Sequence, residues 1–278
     1  MNRPIDLEAE AWERPIGPIR SLWEKQWFRK AVIIFILALA WEIYARALDS
    51  ELLFPTFLST IDAFCRDLIN GRLILATKET LKVLLLGYGV GALVALLLTV
   101  FAIVSRVGSE FLETLTSMFN PLPAIALLPL AMMWFGLGVS SMVFVLVHAV
   151  VWAIALNTQS GFSAVSNTLK MVGRNYGLTG VRFIGLILIP AALPSILSGL
   201  RTAWAFAWRT LIAAELVFGV SSGSGGLGWY IFEQKNSLEI SSVFAGLLAV
   251  ILIGLIVEEG IFRVIERVTV GRWGMQSS

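Results

Sequence analysis

Charge is the scarce ingredient of this 278-residue sequence, where Asp, Glu, Lys and Arg together supply only 14% of residues. A soluble domain carries nearer a quarter. With 57% hydrophobic residues and a mean hydropathy of +0.82, the deficit excludes an ordinary soluble domain and makes the chain an integral membrane protein. Cysteine and histidine occur once each, as Cys65 and His148. A single cysteine excludes an internal disulfide and says little about the compartment. A single histidine with no Cys, Asp or Glu near it in sequence is a poor basis for a metal or catalytic centre, and none is assigned. The net charge of +2 is too small to point to nucleic acid. No G-x-x-x-x-G-K-[ST] loop is present, which excludes ATP hydrolysis in this chain by that route. No inverted or parallel repeat relates the halves, as it would in many secondary transporters. Residues 1–30 lack the continuous apolar core of a cleavable signal and place Asp6, Glu8, Glu10 and Glu13 among the basic residues. They read as a polar tail, with room for a surface-lying helix over 19–28 that would carry Trp23 and Trp27 on one face.

What is present is apolar length. About 20 mainly apolar residues are needed to cross a bilayer, and six stretches qualify. The first covers 31–48. Residues 49–77 break the pattern, with 53–73 reading as an amphipathic helix and not a span. The second span covers 80–104, where Gly87, Gly89 and Gly91 favour close helix contacts, and a tight turn follows at 105–108. The third, 110–135, is interrupted by Pro121, Pro123 and Pro129, each of which removes a backbone donor. In hydrocarbon such breaks survive where protein or a cavity satisfies the freed carbonyls. The fourth span covers 142–155 and its flanks. The fifth, 188–219, is entered through Pro190 and Pro194, and the sixth covers 240–257 before an amphipathic exit helix. The glycine-rich stretch 220–239 has no phosphate-binding context and reads as an external loop that flexes or packs tightly. The organisation is thus a tail (1–30), a membrane domain (31–265) and a second tail (266–278), all α-helical.

Six crossings put both termini on one side. If that side is the cytoplasm, the inner segments hold six basic residues of the tail, Arg106, then Lys170, Arg174 and Arg182, then Arg263, Arg267 and Arg272, which makes thirteen. The outer segments hold six: Arg46, Arg66, Arg72, Lys78, Lys82 and Lys235. The imbalance orients the termini inward and makes 160–187 a cytoplasmic loop, well placed to meet a soluble partner.

Within the membrane, Arg201, Arg209 and Glu215 are informative, because a charge in a span normally faces the protein interior or water. At 100° per residue, Arg201, Trp204, Trp208 and Glu215 fall within about 60° of one another, with Arg209 some 80° from Arg201. One reading is a lining for an anionic or amphiphilic substrate route. The other is an ion pair that locks neighbouring helices or a second copy. His148 likewise fits either helix packing or a pathway contact.

A family resemblance joins these features. From Gly177, nine residues lead to Ile187, Ile189 and Pro190, which matches the cytoplasmic-loop spacing of binding-protein-dependent ABC importer permeases. The stretches LFPTFLSTIDAF (53–64), PLPAIALLPLAMMWFGLG (121–138), IPAALPSILSGLR (189–201), AEL (214–216) and GLGWYI (226–231) resemble the nitrate/sulfonate/taurine/bicarbonate branch, in the same order over roughly 50–272. The resemblance implies a MetI-like (type I importer) permease fold in the bacterial inner membrane. It implies a homodimer working by alternating access with two cytoplasmic ABC ATPase subunits and an external solute-binding protein. ATP and magnesium then belong to the ATPase, and this chain needs no cofactor. The loop carrying Lys170, Met171, Gly173, Arg174, Gly177, Ile187 and Pro190 becomes the coupling element. Arg201, Trp204, Trp208, Arg209, Glu215 and His148 become candidates for the pathway of a small anion, sulfonate- or nitrate-like or an aromatic carboxylate. The family's Glu-Ala-Ala opening is replaced here by Met171, Val172 and Gly173, which leaves docking to shape, to Gly177 and to Arg174 or Lys170. The competing class is a stand-alone secondary transporter or channel, for which only Glu215 and Glu42 offer intramembrane carboxylates.

Overall fold

In the computed structural model, Trp23, residues 25–218 and residues 225–269 are described; half of the surface helix expected over 19–28 and most of both tails lie outside them. Every regular element among the described residues is helical. The chain packs as two units that divide at Ser59/Thr60.

The first unit holds α1 (Gln26–Leu48), longer at its start than the expected 31–48 span, and the opening of α2 (Phe57–Ile69). The connection between them is strapped to α1 by polar side chains. The Trp41 indole N–H donates to the Pro55 carbonyl at 2.9 Å. The Glu42 carboxylate accepts the Leu58 N–H at 3.1 Å and the Arg46 Nε–H at 2.7 Å. It thereby caps the first turn of α2, where an anion is favoured.

The second unit contains α3 (Arg72–Val104), α4 (Arg106–Phe119), a 3₁₀ turn (Ala124–Leu127), α5 (Leu128–Phe135), α6 (Val139–Ala164), α7 (Asn167–Asn175) and α8 (Gly180–Phe183). A π-helical turn (Ile184–Leu188) leads into α9 (Ile189–Phe218). Then come α10 (Leu227–Asn236), α11 (Ile240–Leu255), a second π segment (Ile256–Phe262) and α12 (Arg263–Thr269). Five helical stretches are long and apolar enough to cross a membrane, and α4 with 124–135 makes a sixth if the pair, bent by 87°, is one span.

The close contacts decide that question. A Cβ on Gly87 would lie 2.6 Å from the Leu146 side chain, and one on Gly91 2.8 Å from Val150. Both numbers rise together, so α3 and α6 run parallel, and the segment between them must return across the bundle. Gly161 meets Ser195 while Gly199 meets Asn157, so α9 is antiparallel to α6. Trp208 lies beside Gly254 and Arg201 pairs with Glu258, so α11 is antiparallel to α9. The bent pair therefore works as a crossing. Gly87 and Gly91 provide the close approach expected of small residues, whereas Gly89 meets nothing within 4 Å and has no packing role.

Three local expectations change. The turn at 105–108 is a single extended residue, Ser105, whose hydroxyl caps α4 by accepting the Gly108 N–H at 2.8 Å. The second span begins at Arg72 rather than at 80, because 72–79 continue the same helix. A helix opens within the glycine-rich stretch 220–239 expected as a loop, at Leu227, while 219–224 lie outside the described residues. The N-terminus of α10 is held by protein. Thr80 Oγ1 accepts the Leu227 N–H at 2.8 Å and donates to the buried Glu215 carboxylate at 2.9 Å. The same carboxylate accepts the Gly228 N–H at 2.9 Å. Gly228 is obligatory for space, since a Cβ there would sit 2.6 Å from the Ile212 carbonyl.

At the same end of the bundle, Asp67 of α2 accepts the Tyr230 hydroxyl, and Arg66 donates to Ser242 at 3.1 Å. Burial, reinforced by the bond to Asp67, pushes the Tyr230 phenol up from its ordinary value.

Thr80→Val removes a donor and an acceptor at one buried point. It should lower stability by about 1–3 kcal/mol, read as a lower thermal midpoint of the detergent-solubilised chain by tryptophan fluorescence. Thr80→Ser should restore most of the loss.

Candidate functional site

The residues singled out on the fifth span separate onto two sides of α9. Arg201, Trp204, Trp208 and Glu215 face the bundle seam. Trp204 is buried edge-on against Tyr88, with ring centroids 5.7 Å apart, and the Tyr88 hydroxyl donates to the Leu200 carbonyl at 2.9 Å. Trp208 is buried beside α11. Arg201 forms ion pairs with Glu258 and, at 3.8 Å, with Glu266, so the exit helix is tied to α9. Glu215 is taken up by Thr80 and Gly228. Arg201 and Glu215 thus have separate partners and do not pair with each other.

Arg209 faces elsewhere. Its Nε–H donates to the Ala205 carbonyl of its own helix at 2.9 Å, and its guanidinium lies 5.4 Å from the centre of the Phe206 ring. With Phe206, Thr210, His148 and Trp152 it lines a cavity of about 340 Å3 at the break between α4 and the 3₁₀ turn, where Asn120, Pro121 and Pro123 complete the wall. The backbone break and the cavity occur together, as the membrane environment requires. Trp152 stacks on Phe119 at 5.6 Å, and His148 meets both rings edge-on. The two imidazole nitrogens and the Trp152 indole N–H are buried without a hydrogen-bond partner. Trp152 was not singled out from sequence, although its position four residues after His148 puts both on one helix face. Glu258 and Thr80 carried no local signal at all, since each gains its role from a residue more than fifty positions away.

The residues of the 166–188 loop form one compact structure. Ser166 caps α7 by accepting the Leu169 N–H at 3.3 Å. The helix ends with the Gly177 N–H on the Arg174 carbonyl at 2.9 Å and the Leu178 N–H on the Gly173 carbonyl at 3.1 Å. That pair of bonds is the Schellman arrangement, and Gly177 supplies the left-handed residue it needs, with φ +73°. Gly173 is buried because a Cβ there would come within 2.9 Å of both Phe183 and Ile187. Ile187 lies in the π turn, whose widened ladder lets the Ile189 N–H reach back to Ile184 just before Pro190, which has no N–H to donate. Lys170 and Arg174 line a second cavity, of about 690 Å3, with Gln159 and Ser163 of α6. Met171, Tyr176, Val181 and Leu186 are exposed, Tyr176 at 81%.

Comparison with known proteins agrees with this architecture. The family model described as "Binding-protein-dependent transport system inner membrane component" matches residues 84–268, from within α3 to the last turn of α12. A protein of Methanocaldococcus jannaschii described as an ABC transporter permease is 30% identical over 80% of this chain and 83% of its own length. A protein of Bacillus subtilis described as an aliphatic sulfonates transport permease is 27% identical, covering 93% of this chain and 91% of its own. The nitrate import permease of Synechocystis is 27% identical over 88% and 90% respectively. With its all-helical, multi-pass, MetI-like fold, the chain belongs to the family of binding-protein-dependent transport system inner membrane components, in the branch that holds the nitrate, sulfonate and taurine permeases.

Proposed function

We propose that this chain is the membrane subunit of an ATP-binding-cassette importer that moves a small anion, of the sulfonate or nitrate kind, inward by alternating access. Two copies form the conduit, an external solute-binding protein delivers the anion, and two cytoplasmic ATPases drive the cycle and hold the ATP and magnesium. Both termini and the 166–188 loop face the cytoplasm. Relatives described as sulfonate, taurine and nitrate permeases support the substrate class.

The observation that carries the reading is the loop. A Schellman-closed helix presents Met171 and Tyr176 outward and is wedged by Gly173 onto the π turn that runs into α9. A push on its exposed face is therefore transmitted to the long helix instead of being absorbed by a slack connection. Met171, at the position where related loops carry a glutamate, offers an apolar knob, so recognition of the ATPase rests on packing, with Lys170, Arg174 and Arg182 nearby. The reading as a secondary transporter loses support for a physical reason. Ion coupling needs a carboxylate free to take up and release its ion, and Glu215 and Glu42 are both occupied by protein donors.

The coupling assignment has a direct test in the assembled complex. Gly177→Val forces a β-branched residue into a left-handed conformation, at a cost of about 1–3 kcal/mol, in a place where nothing obstructs the side chain within 4 Å. Substrate-stimulated ATPase activity should be lost while membrane insertion is retained, and Gly177→Asn, which tolerates that backbone, should keep much of the activity. Normal coupling in Gly177→Val refutes the assignment. Orientation is read with a membrane-impermeant maleimide. The exposed native Cys65 should react in intact cells. In a Cys65→Ser background, Tyr176→Cys should react only in inside-out vesicles.

A further inference from the structure

The cavity at the proline break contains more polar capacity than the protein itself uses. Arg209 is a cation well inside a span, exposed on the single chain. Among the described residues no carboxylate lies within ion-pair distance of it. A charge at such a position faces water or protein and not lipid. Trp152 and His148 also line the cavity, and the Trp152 indole N–H and both His148 nitrogens are buried and unpartnered. Phe206, Pro121 and Pro123 supply apolar surface to the same cavity, beside the polar Asn120 and Thr210. Arg209 and His148 are the titratable side chains that line this cavity.

The cavity also leads somewhere. Asn120 and Pro121 line a neighbouring hollow of about 770 Å3, which in turn shares Gln159 and Ser163 with the cavity beside Lys170 and Arg174. The three hollows follow one face of α6, with His148, Trp152, Gln159 and Ser163 at helical spacing. A furrow thus runs from Arg209 to the coupling loop. Its middle is lined by small polar side chains and one carboxylate, Glu113.

We infer that the Arg209–Trp152–His148 cavity is an anion station on this furrow, holding a small organic oxyanion with its charged head toward Arg209 and the unpartnered N–H groups and its apolar body against Phe206 and the prolines. The inference rests on the importer reading for its physiological meaning, but the site is testable without transport. A furrow with cations at both ends and a carboxylate between them holds an anion at its ends and raises a barrier to it at Glu113, so an anion resides at the Arg209 end until that barrier is crossed.

The test uses the full-length chain reconstituted in vesicles, carrying Cys65→Ser and Thr210→Cys, which places a thiol on the cavity wall; Ala149→Cys is the second position if the first does not fold. Reactivity is measured toward an anionic reagent, 2-sulfonatoethyl methanethiosulfonate, and a cationic one, the 2-(trimethylammonium)ethyl analogue. Relative to free glutathione, the thiol should prefer the anionic reagent by about tenfold, as a focused positive potential raises the local anion concentration. Arg209→Gln should abolish that preference and Arg209→Lys should keep it. Millimolar ethanesulfonate should slow both reagents, and Trp152→Phe should weaken this protection severalfold without altering the preference, because it removes a donor and not a charge. Protection that is equal in phosphatidylcholine vesicles and in vesicles containing phosphatidylglycerol assigns the site to soluble anions; protection or preference cancelled by the anionic lipid assigns it to headgroups and overturns the station. A preference indifferent to Arg209→Gln, as an arginine paired with a second copy would give, also overturns it. Either result leaves the importer reading standing if the complex still couples ATP hydrolysis to substrate. Conversely, an intact anion preference in a complex that does not couple removes that reading and keeps the site.

Discussion

A carboxylate enclosed in an apolar bundle must be hydrogen-bonded or it destabilises everything around it, and Glu215 meets that demand by gathering three elements. Its oxygens take the Thr80 hydroxyl from α3 and the Gly228 N–H from α10, while Thr80 takes the Leu227 N–H. The arrangement satisfies the first donors of α10, which no intrahelical carbonyl can reach, and seats that short helix between its long neighbours. The Asp67–Tyr230 bond and the Arg66–Ser242 bond extend the same end of the bundle to α2 and α11. With one end fastened, α9 has a fixed point.

From that point α9 reaches back to the 166–188 loop, and its two faces differ. The inner face, with Trp204, Trp208 and Arg201, is closed by Tyr88, Phe262 and the acidic residues of the exit helix. The outer face carries Arg209 and Phe206 toward the proline break. At its base, Pro190 and Pro194 and the preceding π turn interrupt the regular ladder. These are the positions at which a helix bends with least resistance.

The 87° bend between α4 and the 124–135 segment is the counterpart of that interruption. Pro121 and Pro123 cannot donate backbone bonds, so the chain cannot cross as one helix there. The bend survives beside the cavity because an irregular backbone in a membrane must border protein or water. The break, Arg209 and the His148 imidazole are thus aspects of one local structure.

Hydrophobic periodicity by itself determined that the chain is helical, roughly where its spans lie, that 110–135 is broken and that a connection follows the fourth span; the expected loop 160–187 is shorter in the structure, since 160–164 continue α6 and the next helical stretch begins at Gly180. These follow from length, apolar content and proline chemistry, all local properties. The wheel angle likewise put Arg201, Trp204, Trp208 and Glu215 on one side of α9 and Arg209 on another. Local properties do not specify partners. Only the tertiary structure decided that Arg201 pairs with Glu258 across 57 positions and that Glu215 seats a helix whose start lay in what read as a glycine loop. It also decided that Arg209 and His148, on helices far apart in sequence, line the same cavity as Trp152. Each of these depends on which segments α9 packs against, α6 and the stretch around Glu258 both lying antiparallel to it. Such contacts join distant segments, and no single segment encodes them.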